Sequence, residues 1–217
     1  MSKIVLAFDM DDTLTKTNAY INKHIKIYFQ QNNMMKEYDF IINNEATLST
    51  MMYPDWIKVH VDREIIGPGL YMLNSEPTQL GLRNCWRELQ DFKNEYPSEI
   101  SYVICSHRGF HVFGDLYTRT WLETMMLSHL IDDIYMLDGK DNPNKVEYLK
   151  SIYPDSEIIL VDDNPCHDFT KDHPEMEELV IYDKVNKYEG YSNQKTFESV
   201  SQLVGMMKQK LVALGVY

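Results

Sequence analysis

The amino-acid sequence predicts an α/β fold, with a Rossmann-like parallel sheet, helices on both faces and an inserted helical cap. Three observations lead to this prediction. Short apolar runs end abruptly in polar or acidic residues, helical patterns lie between these runs, and one long helical stretch interrupts the alternation. Strands that alternate with helices are typical of a parallel sheet with right-handed crossover connections.

Short apolar runs that end in polar residues have the form of buried parallel strands whose carboxyl ends meet solvent. The first precedes Asp9, the second precedes Ser106, and the third precedes Asp162. The predicted strands cover residues 3–8, 100–105 and 157–161, and two shorter candidates cover residues 134–137 and 179–182.

Apolar residues at i, i+3, i+4 and i+7 spacing predict helices between and after these strands. Pro77 lies near the start of the first helix, and Pro154 closes the third. Trp86 and Trp121 are interpreted as core residues. The predicted helices cover residues 82–89, 116–130, 145–152 and 197–211.

The stretch from Leu14 to about Gly69 contains helical patterns and no convincing buried strand. It is too long for a simple crossover connection. We therefore predict a helical cap over residues 16–98 and a catalytic core made of residues 1–15 and 99–217. Tyr20 and Phe29 of this cap are interpreted either as core residues or as rings that stack on a substrate base.

Composition narrows the class of protein. The net charge of −12 and the pI near 5.0 argue against an extended nucleic-acid partner, since an acidic surface repels phosphate backbones. They leave room for a small phosphorylated substrate in a metal-loaded pocket. Three cysteines without a Cys-x-x-Cys pair, no signal-like start and no membrane-span-length apolar segment predict a cytoplasmic protein that does not insert into membranes.

Acidic residues follow two of the predicted strands, at the sheet edge where α/β proteins bind ligands. Asp9 and Asp11 follow the first strand, and Asp162 and Asp163 follow a later one. If these strands are neighbours, the carboxylates repel one another unless a cation is present. Oxygen ligands of this kind favour Mg²⁺.

A hydroxyl and a lysine complete a possible phosphate site. Ser106 follows the middle strand, where its hydroxyl and nearby backbone N–H groups could hold phosphoryl oxygens; the alternative is a turn or capping serine. Lys145 opens a helical pattern, and Lys140 in the same loop is the alternative cation. His107, Arg108 and His111 form a polar cluster beside Ser106, and they are either substrate contacts or solvated loop residues.

These motifs resemble those of the haloacid dehalogenase superfamily, in the expected order over residues 3 to about 165. Residues 9–13 read Asp-Met-Asp-Asp-Thr, which is similar to the first motif, Asp-x-Asp-x-Thr. Ser106 resembles the second motif and Lys145 the third. The run Val-Asp-Asp-Asn-Pro over residues 161–165 resembles the fourth.

The resemblance implies a phosphatase chemistry for these residues. Asp9 would form an aspartyl-phosphate, while Asp11 would protonate the leaving oxygen and then activate water. Thr13 would support the loop and contact substrate, and Ser106 and Lys145 would hold the phosphoryl oxygens.

The resemblance also implies a metal site. Mg²⁺ would be held by the Asp9 carboxylate and the Asp11 backbone carbonyl, with Asp163 as a direct ligand and Asp162 behind it. Which of Asp162 and Asp163 touches the metal is open.

A narrower resemblance concerns the 5′(3′)-deoxyribonucleotidase branch of the superfamily. It is carried by Gly-Pro-Gly at residues 67–69, Pro77, the helix through Trp86 and the second motif. The chain has Asp12 where that branch usually has Gly, and His107 where it has a small hydroxyl residue. The implied function is a deoxynucleotide phosphatase. The alternatives are a phosphatase for a nucleic-acid end or another phosphoester, and a non-catalytic binding module.

Overall fold

The computed structural model of this protein describes residues 3–164, 176–182 and 195–216. Pro165 of the fourth motif and Cys166 lie outside the described residues. At the centre is a six-stranded sheet in the order β3-β2-β1-β4-β5-β6, with all neighbours parallel. The predicted parallel α/β sheet is confirmed. The strands are β1 (Ile4–Phe8), β2 (Ile100–Ser106), β3 (Asp133–Met136), β4 (Glu157–Asp162), β5 (Leu179–Ile181) and β6 (Lys195–Thr196).

Every apolar run that was predicted to be a strand lies in this sheet. β2 and β4 extend by one residue, so that Ser106 and Asp162 are themselves the last residues of their strands. The sixth strand was not predicted, because Lys195 and Thr196 are exposed and carry no apolar signal.

The helices agree with the predicted pattern more closely in their buried residues than in their ends. They are α1 (Thr17–Gln31), α2 (Met35–Asn44), α3 (Asp55–Val61), α4 (Tyr71–Asn74), α5 (Arg87–Glu95), α6 (Gly114–Thr124), α7 (Lys145–Ile152) and α8 (Val200–Ala213).

Several helix boundaries differ from the predicted ones: α8 begins at Val200 instead of Phe197, and two larger differences lie before and after β2. The helix predicted over residues 82–89 is a 3₁₀ turn, Arg83–Trp86, followed by α5, and Pro77 pairs with Thr15 instead of starting a helix. The helix predicted over residues 116–130 ends at Thr124, because Met126 has a left-handed backbone (φ 56°) that cannot continue it.

Side chains alternate across the sheet and bury both of its faces. Leu6 and Phe8 of β1 pack with α5, α6 and α8, whereas Val5 and Ala7 pack with α7. The prediction of helices on both faces is therefore confirmed, and β1, fully buried, lies at the centre of the protein.

The helices α1 to α4 form a separate apolar cluster around Ile25, Phe29 and Ile57. Trp86 and Leu89, which follow this segment, pack instead against the sheet. The extent of the cap as a domain, residues 16–98, stays a prediction.

The chain leaves and re-enters the sheet region through two adjacent segments. The Lys16 N–H donates to the Glu76 carbonyl at 2.8 Å, and the Thr78 hydroxyl donates to the Thr13 carbonyl at 2.6 Å. These contacts hold the loop between β1 and α1 against the segment that follows α4. Within the described residues, no helix has the length and apolar character needed to cross a bilayer.

Candidate active site

The acidic residues predicted to converge are brought together by the pairing of β1 with β4. Phe8 is level with Val161 in this parallel ladder, so Asp9 and Asp162 follow at the same height. From β1 the strand order runs toward β2 on one side and toward β4 on the other. This is the point in open α/β sheets where ligands bind, outside the carboxyl ends of the strands.

Three carboxylates meet at this point. Oxygen atoms of Asp9, Asp162 and Asp163 lie within 4.8 Å of one another. Asp9 and Asp162 are buried, and the adjacent Asn164 has a buried side-chain oxygen without a hydrogen-bond partner among the described residues. A set of buried hard oxygen atoms, one of them unpaired, fits a divalent cation such as Mg²⁺.

Lys145 is the cation that these carboxylates share. It begins α7, whose first turn is capped by the Asn144 side chain. Its Nζ lies 2.8 Å from an Asp9 oxygen and 2.8 Å from an Asp162 oxygen. Burial opposes the charged amine, but the Asp162 and Asp9 carboxylates outweigh it and raise the pKa of Lys145. Lys140, the alternative, is exposed.

The pKa of Asp162 is also raised, to about 7. Burial is the main cause and the Asp9 carboxylate adds to it, while Lys145 acts in the opposite direction. Two acids beside one lysine therefore leave excess negative charge, which a second cation would stabilise.

Ser106 lies at the end of β2, the other neighbour of β1. Its side chain is 1% exposed, and its hydroxyl oxygen has no hydrogen-bond partner among the described residues. Buried polar groups are almost always paired, so an unpaired hydroxyl beside a candidate site is available to a ligand.

Thr13 and His107 were also predicted to contact the substrate, and the structure gives them different partners. The Thr13 hydroxyl accepts the Asp163 N–H at 3.1 Å, which ties the loop after β1 to the loop after β4. The His107 ring lies 2.9 Å from the Asn142 carbonyl oxygen and is half-buried. Thr13 therefore joins the two loops that carry the carboxylates, whereas His107 contacts the loop that contains Asn142.

Asp11 pairs with Arg108, a member of the polar cluster beside Ser106. Its two carboxylate oxygens accept from Arg108, at 2.9 Å from Nε and 2.7 Å from Nη2. The Thr17 hydroxyl donates to the same carboxylate at 2.5 Å. Burial raises the pKa of Asp11, but Arg108 outweighs this effect and lowers the pKa below its ordinary value.

Arg108 is fully buried, although it lies in a loop among polar residues. It was predicted, together with His107 and His111, to be either a substrate contact or a solvated loop residue, and its pairing with Asp11 was not predicted. Only its place two residues after a strand end hinted at the site, and nothing in the local pattern indicates burial.

Of the two aromatic residues proposed to stack on a base, only one is accessible. Phe29 is fully buried in the cluster of α1 to α4, so it cannot stack on a ligand. Tyr20 is half-exposed, and its ring stacks on that of His24 with 4.1 Å between centroids.

Neither a protein-family model nor a curated protein matches this chain. Several solved structures share its fold. A candidate phosphoglycolate phosphatase from Lactobacillus delbrueckii subsp. bulgaricus has a TM-score of 0.53 and 12% identity, covering 94% of this chain and 97% of that one. A predicted phosphatase from Clostridium acetobutylicum has a TM-score of 0.52 and 14% identity, covering 96% and 100%. A haloacid dehalogenase-like hydrolase from Streptococcus pneumoniae has a TM-score of 0.50 and 11% identity, covering 93% and 97%.

At such low identities the likeness concerns the fold. The predicted Rossmann-like α/β fold is confirmed, and it is one that structures of phosphatases and haloacid dehalogenase-like hydrolases share with this chain. The narrower resemblance to deoxyribonucleotidases stays a prediction.

Proposed function

We propose that this protein is a Mg²⁺-dependent phosphomonoesterase that forms an aspartyl-phosphate on Asp9. The observation that carries the proposal is the contact of Lys145 with both Asp9 and Asp162 at the ends of β1 and β4. Ser106 adds a buried, unpaired hydroxyl at the neighbouring strand end. The Lys145 amine and the Ser106 hydroxyl are donors that can stabilise the negative charge on the oxygens of a phosphoryl group during its transfer.

In the first step a carboxylate oxygen of Asp9 attacks phosphorus, and the bond to the leaving oxygen breaks. Asp11 gives a proton to that oxygen. Arg108 holds Asp11 ionised in the resting site, so the entering phosphate, by its negative charge, must raise the pKa of Asp11 for it to gain this proton.

In the second step Asp11 takes a proton from water, whose oxygen attacks the phosphorus of the aspartyl-phosphate. Inorganic phosphate leaves and the Asp9 carboxylate is restored. Lys145 and the Ser106 hydroxyl hold the phosphoryl oxygens during both steps. Asp9, the Asp11 backbone carbonyl and Asp163 would hold Mg²⁺, with Asp162 behind them, and the bound ion would neutralise negative charge on the phosphoryl group.

Removal of divalent cations is expected to abolish phosphate release, and Mg²⁺ is expected to restore it. Ca²⁺ should inhibit, because it prefers more ligands and longer distances than Mg²⁺. The measurement is phosphate release from p-nitrophenyl phosphate after chelation and metal titration. Full activity in excess chelator would contradict a metal requirement.

A matched pair of variants tests the proposed ligand set. Asp163→Asn should raise the Mg²⁺ concentration needed for half-maximal activity by at least about 10- to 100-fold, the loss typical when a residue that merely orients a metal ligand is replaced. Asp155→Asn, an exposed acid before β4, should leave it unchanged. An equal Mg²⁺ requirement in the two variants would show that Asp163 is not a metal ligand.

For the substrate we propose a nucleoside monophosphate, as the resemblance to deoxyribonucleotidases implies. A cavity of about 400 Å³ lies along α1, lined by Tyr20, by Lys16 and Lys23, and by Glu76, which pairs with Lys16. Lys16 directly precedes Thr17, whose hydroxyl donates to Asp11. The Lys23 cation beside a half-exposed aromatic ring suits an anion with a flat base. Another small phosphoester remains the alternative substrate.

Tyr20→Ala is expected to lower kcat/KM for nucleoside monophosphates by roughly ten- to a hundred-fold, since stacking of a base is worth about 1–3 kcal/mol. Hydrolysis of p-nitrophenyl phosphate should barely change, because it needs less from the cap. Tyr38→Ala is the control: both tyrosines pack against the same cluster, but Tyr38 lies outside the cavity. Equal losses on both substrates would leave the nucleotidase assignment without its main support.

A further inference from the structure

We propose that Arg108 is a positioning residue, which orients the Asp11 carboxylate and makes this orientation depend on how α4 sits against α6. The proposal rests on the proposed phosphatase function and adds to it a residue that links the helical segment to the reaction.

Arg108 contacts Asp11 through two hydrogen bonds. Nε and Nη2 of Arg108 each donate to a different oxygen of the carboxylate. A paired contact of this kind fixes the plane of the carboxylate as well as its position, which a single hydrogen bond does not. Arg108 therefore decides which way Asp11 faces.

The opposite edge of the Arg108 guanidinium is held by groups from two helices. Nη1 donates to the Met72 carbonyl at 3.3 Å and to the Thr118 hydroxyl at 3.1 Å. Met72 belongs to α4, at the end of the helical segment, and Thr118 belongs to α6, against which α4 packs. Because the guanidinium is rigid and planar, a shift of α4 relative to α6 turns the edge that holds Asp11.

The burial of Arg108 argues against a role in packing alone. Removal of a guanidinium from water carries a large desolvation penalty, and apolar residues of similar volume often stabilise a protein as well or better. An arginine with no exposed surface, in contact with the proposed acid and with the segment that would cover the substrate, is explained if its orientation matters for the reaction.

The rate of hydrolysis of phosphate esters with poor leaving groups should depend on the orientation of Asp11. An oxygen that leaves readily, as in p-nitrophenyl phosphate, needs little help from an acid, whereas an alkyl oxygen or an electron-rich phenol needs a proton. Loss of the Arg108 contacts should therefore slow poor leaving groups more than good ones, and so steepen the dependence of log(kcat/KM) on leaving-group pKa.

The test uses a series of aryl phosphates with the full-length variants Arg108→Lys and Thr118→Val. Thr118→Val removes one of the two acceptors of Nη1 without a change of charge, so it keeps the test valid if Arg108→Lys does not fold. We expect the kcat/KM ratio of the poorest to the best leaving group to fall about tenfold in Thr118→Val, and further in Arg108→Lys. Thr120→Val on the same helix is the control, since the Thr120 hydroxyl donates to the Leu116 carbonyl of its own helix and not to any described atom of Arg108.

The possible outcomes separate the two proposals. If Thr118→Val slows all substrates by the same factor, or has no effect, Arg108 has no positioning role and this inference is overturned while the phosphatase function stands. If the wild-type protein releases no phosphate from any aryl phosphate, both proposals are overturned.

Discussion

Replacement of Asp9 by asparagine is expected to abolish phosphate release, with kcat lowered by about 10⁴-fold or more. The amide oxygen is a poor nucleophile, and the covalent intermediate cannot form on it. The fold should persist, because asparagine has nearly the same shape as aspartate and Lys145 retains its contact with Asp162 at 2.8 Å. The measurements are phosphate release and, by acid quench, the amount of phosphate bound to the protein.

Asp12→Asn is the matched control for this variant. Asp12 lies in the same loop, accepts the Asn18 N–H at 3.0 Å and has a left-handed backbone (φ 57°), which asparagine tolerates well. Its activity should stay within a few-fold of the wild type. If Asp9→Asn keeps more than a few per cent of the wild-type rate, the covalent mechanism is wrong.

Lys145→Met should destabilise the protein as well as inactivate it. Methionine has a similar length but no charge, so Asp9 and Asp162 would remain buried without their shared cation. Loss of one partner from a buried ion pair typically costs about 3–5 kcal/mol. For a protein of this size that corresponds to a fall in Tm of about 2–4 °C for each kcal/mol.

Magnesium should partly offset this loss. A cation that binds the carboxylates of the folded state raises stability by mass action, and it should raise the Tm of Lys145→Met more than that of the wild type. Thermal unfolding with chelator and with Mg²⁺ measures both effects. Lys140→Met, a change at the exposed lysine of the same loop, should alter neither stability nor activity. A Lys145→Met protein as stable as the wild type would show that the carboxylates do not depend on this amine.

The sequence by itself determined the sheet and the acidic edge of the site. Apolar runs that end in Asp9, Ser106 and Asp162 predict where each strand stops, and the carboxyl ends of parallel strands lie at one edge of a sheet. The position of a residue relative to a strand end is a local property, so it can be read from a few neighbouring residues.

The ends of the helices, and which of two similar side chains is buried, could be determined only from the tertiary structure. The helix before β2 begins at Arg87, after a 3₁₀ turn whose last residue, Trp86, donates its ring N–H to the Leu80 carbonyl, a contact that periodicity does not encode. The helical pattern that begins at Lys145 favoured it over Lys140, but only the docking of α7 beside β4 determines that Lys145 is buried and Lys140 exposed. In the same way, the packing of α1 buries Phe29 and leaves Tyr20 half-exposed.

The pairing of Asp11 with Arg108 was decided by the tertiary structure alone. The two residues are 97 positions apart, and Arg108 lies in a polar loop that reads as solvated. Whether such an arginine is buried depends on groups contributed by other segments, here the Asp11 carboxylate, the Met72 carbonyl and the Thr118 hydroxyl. Burial of a charge is favourable only when several partners surround it at once, and that condition exists only after the chain has folded.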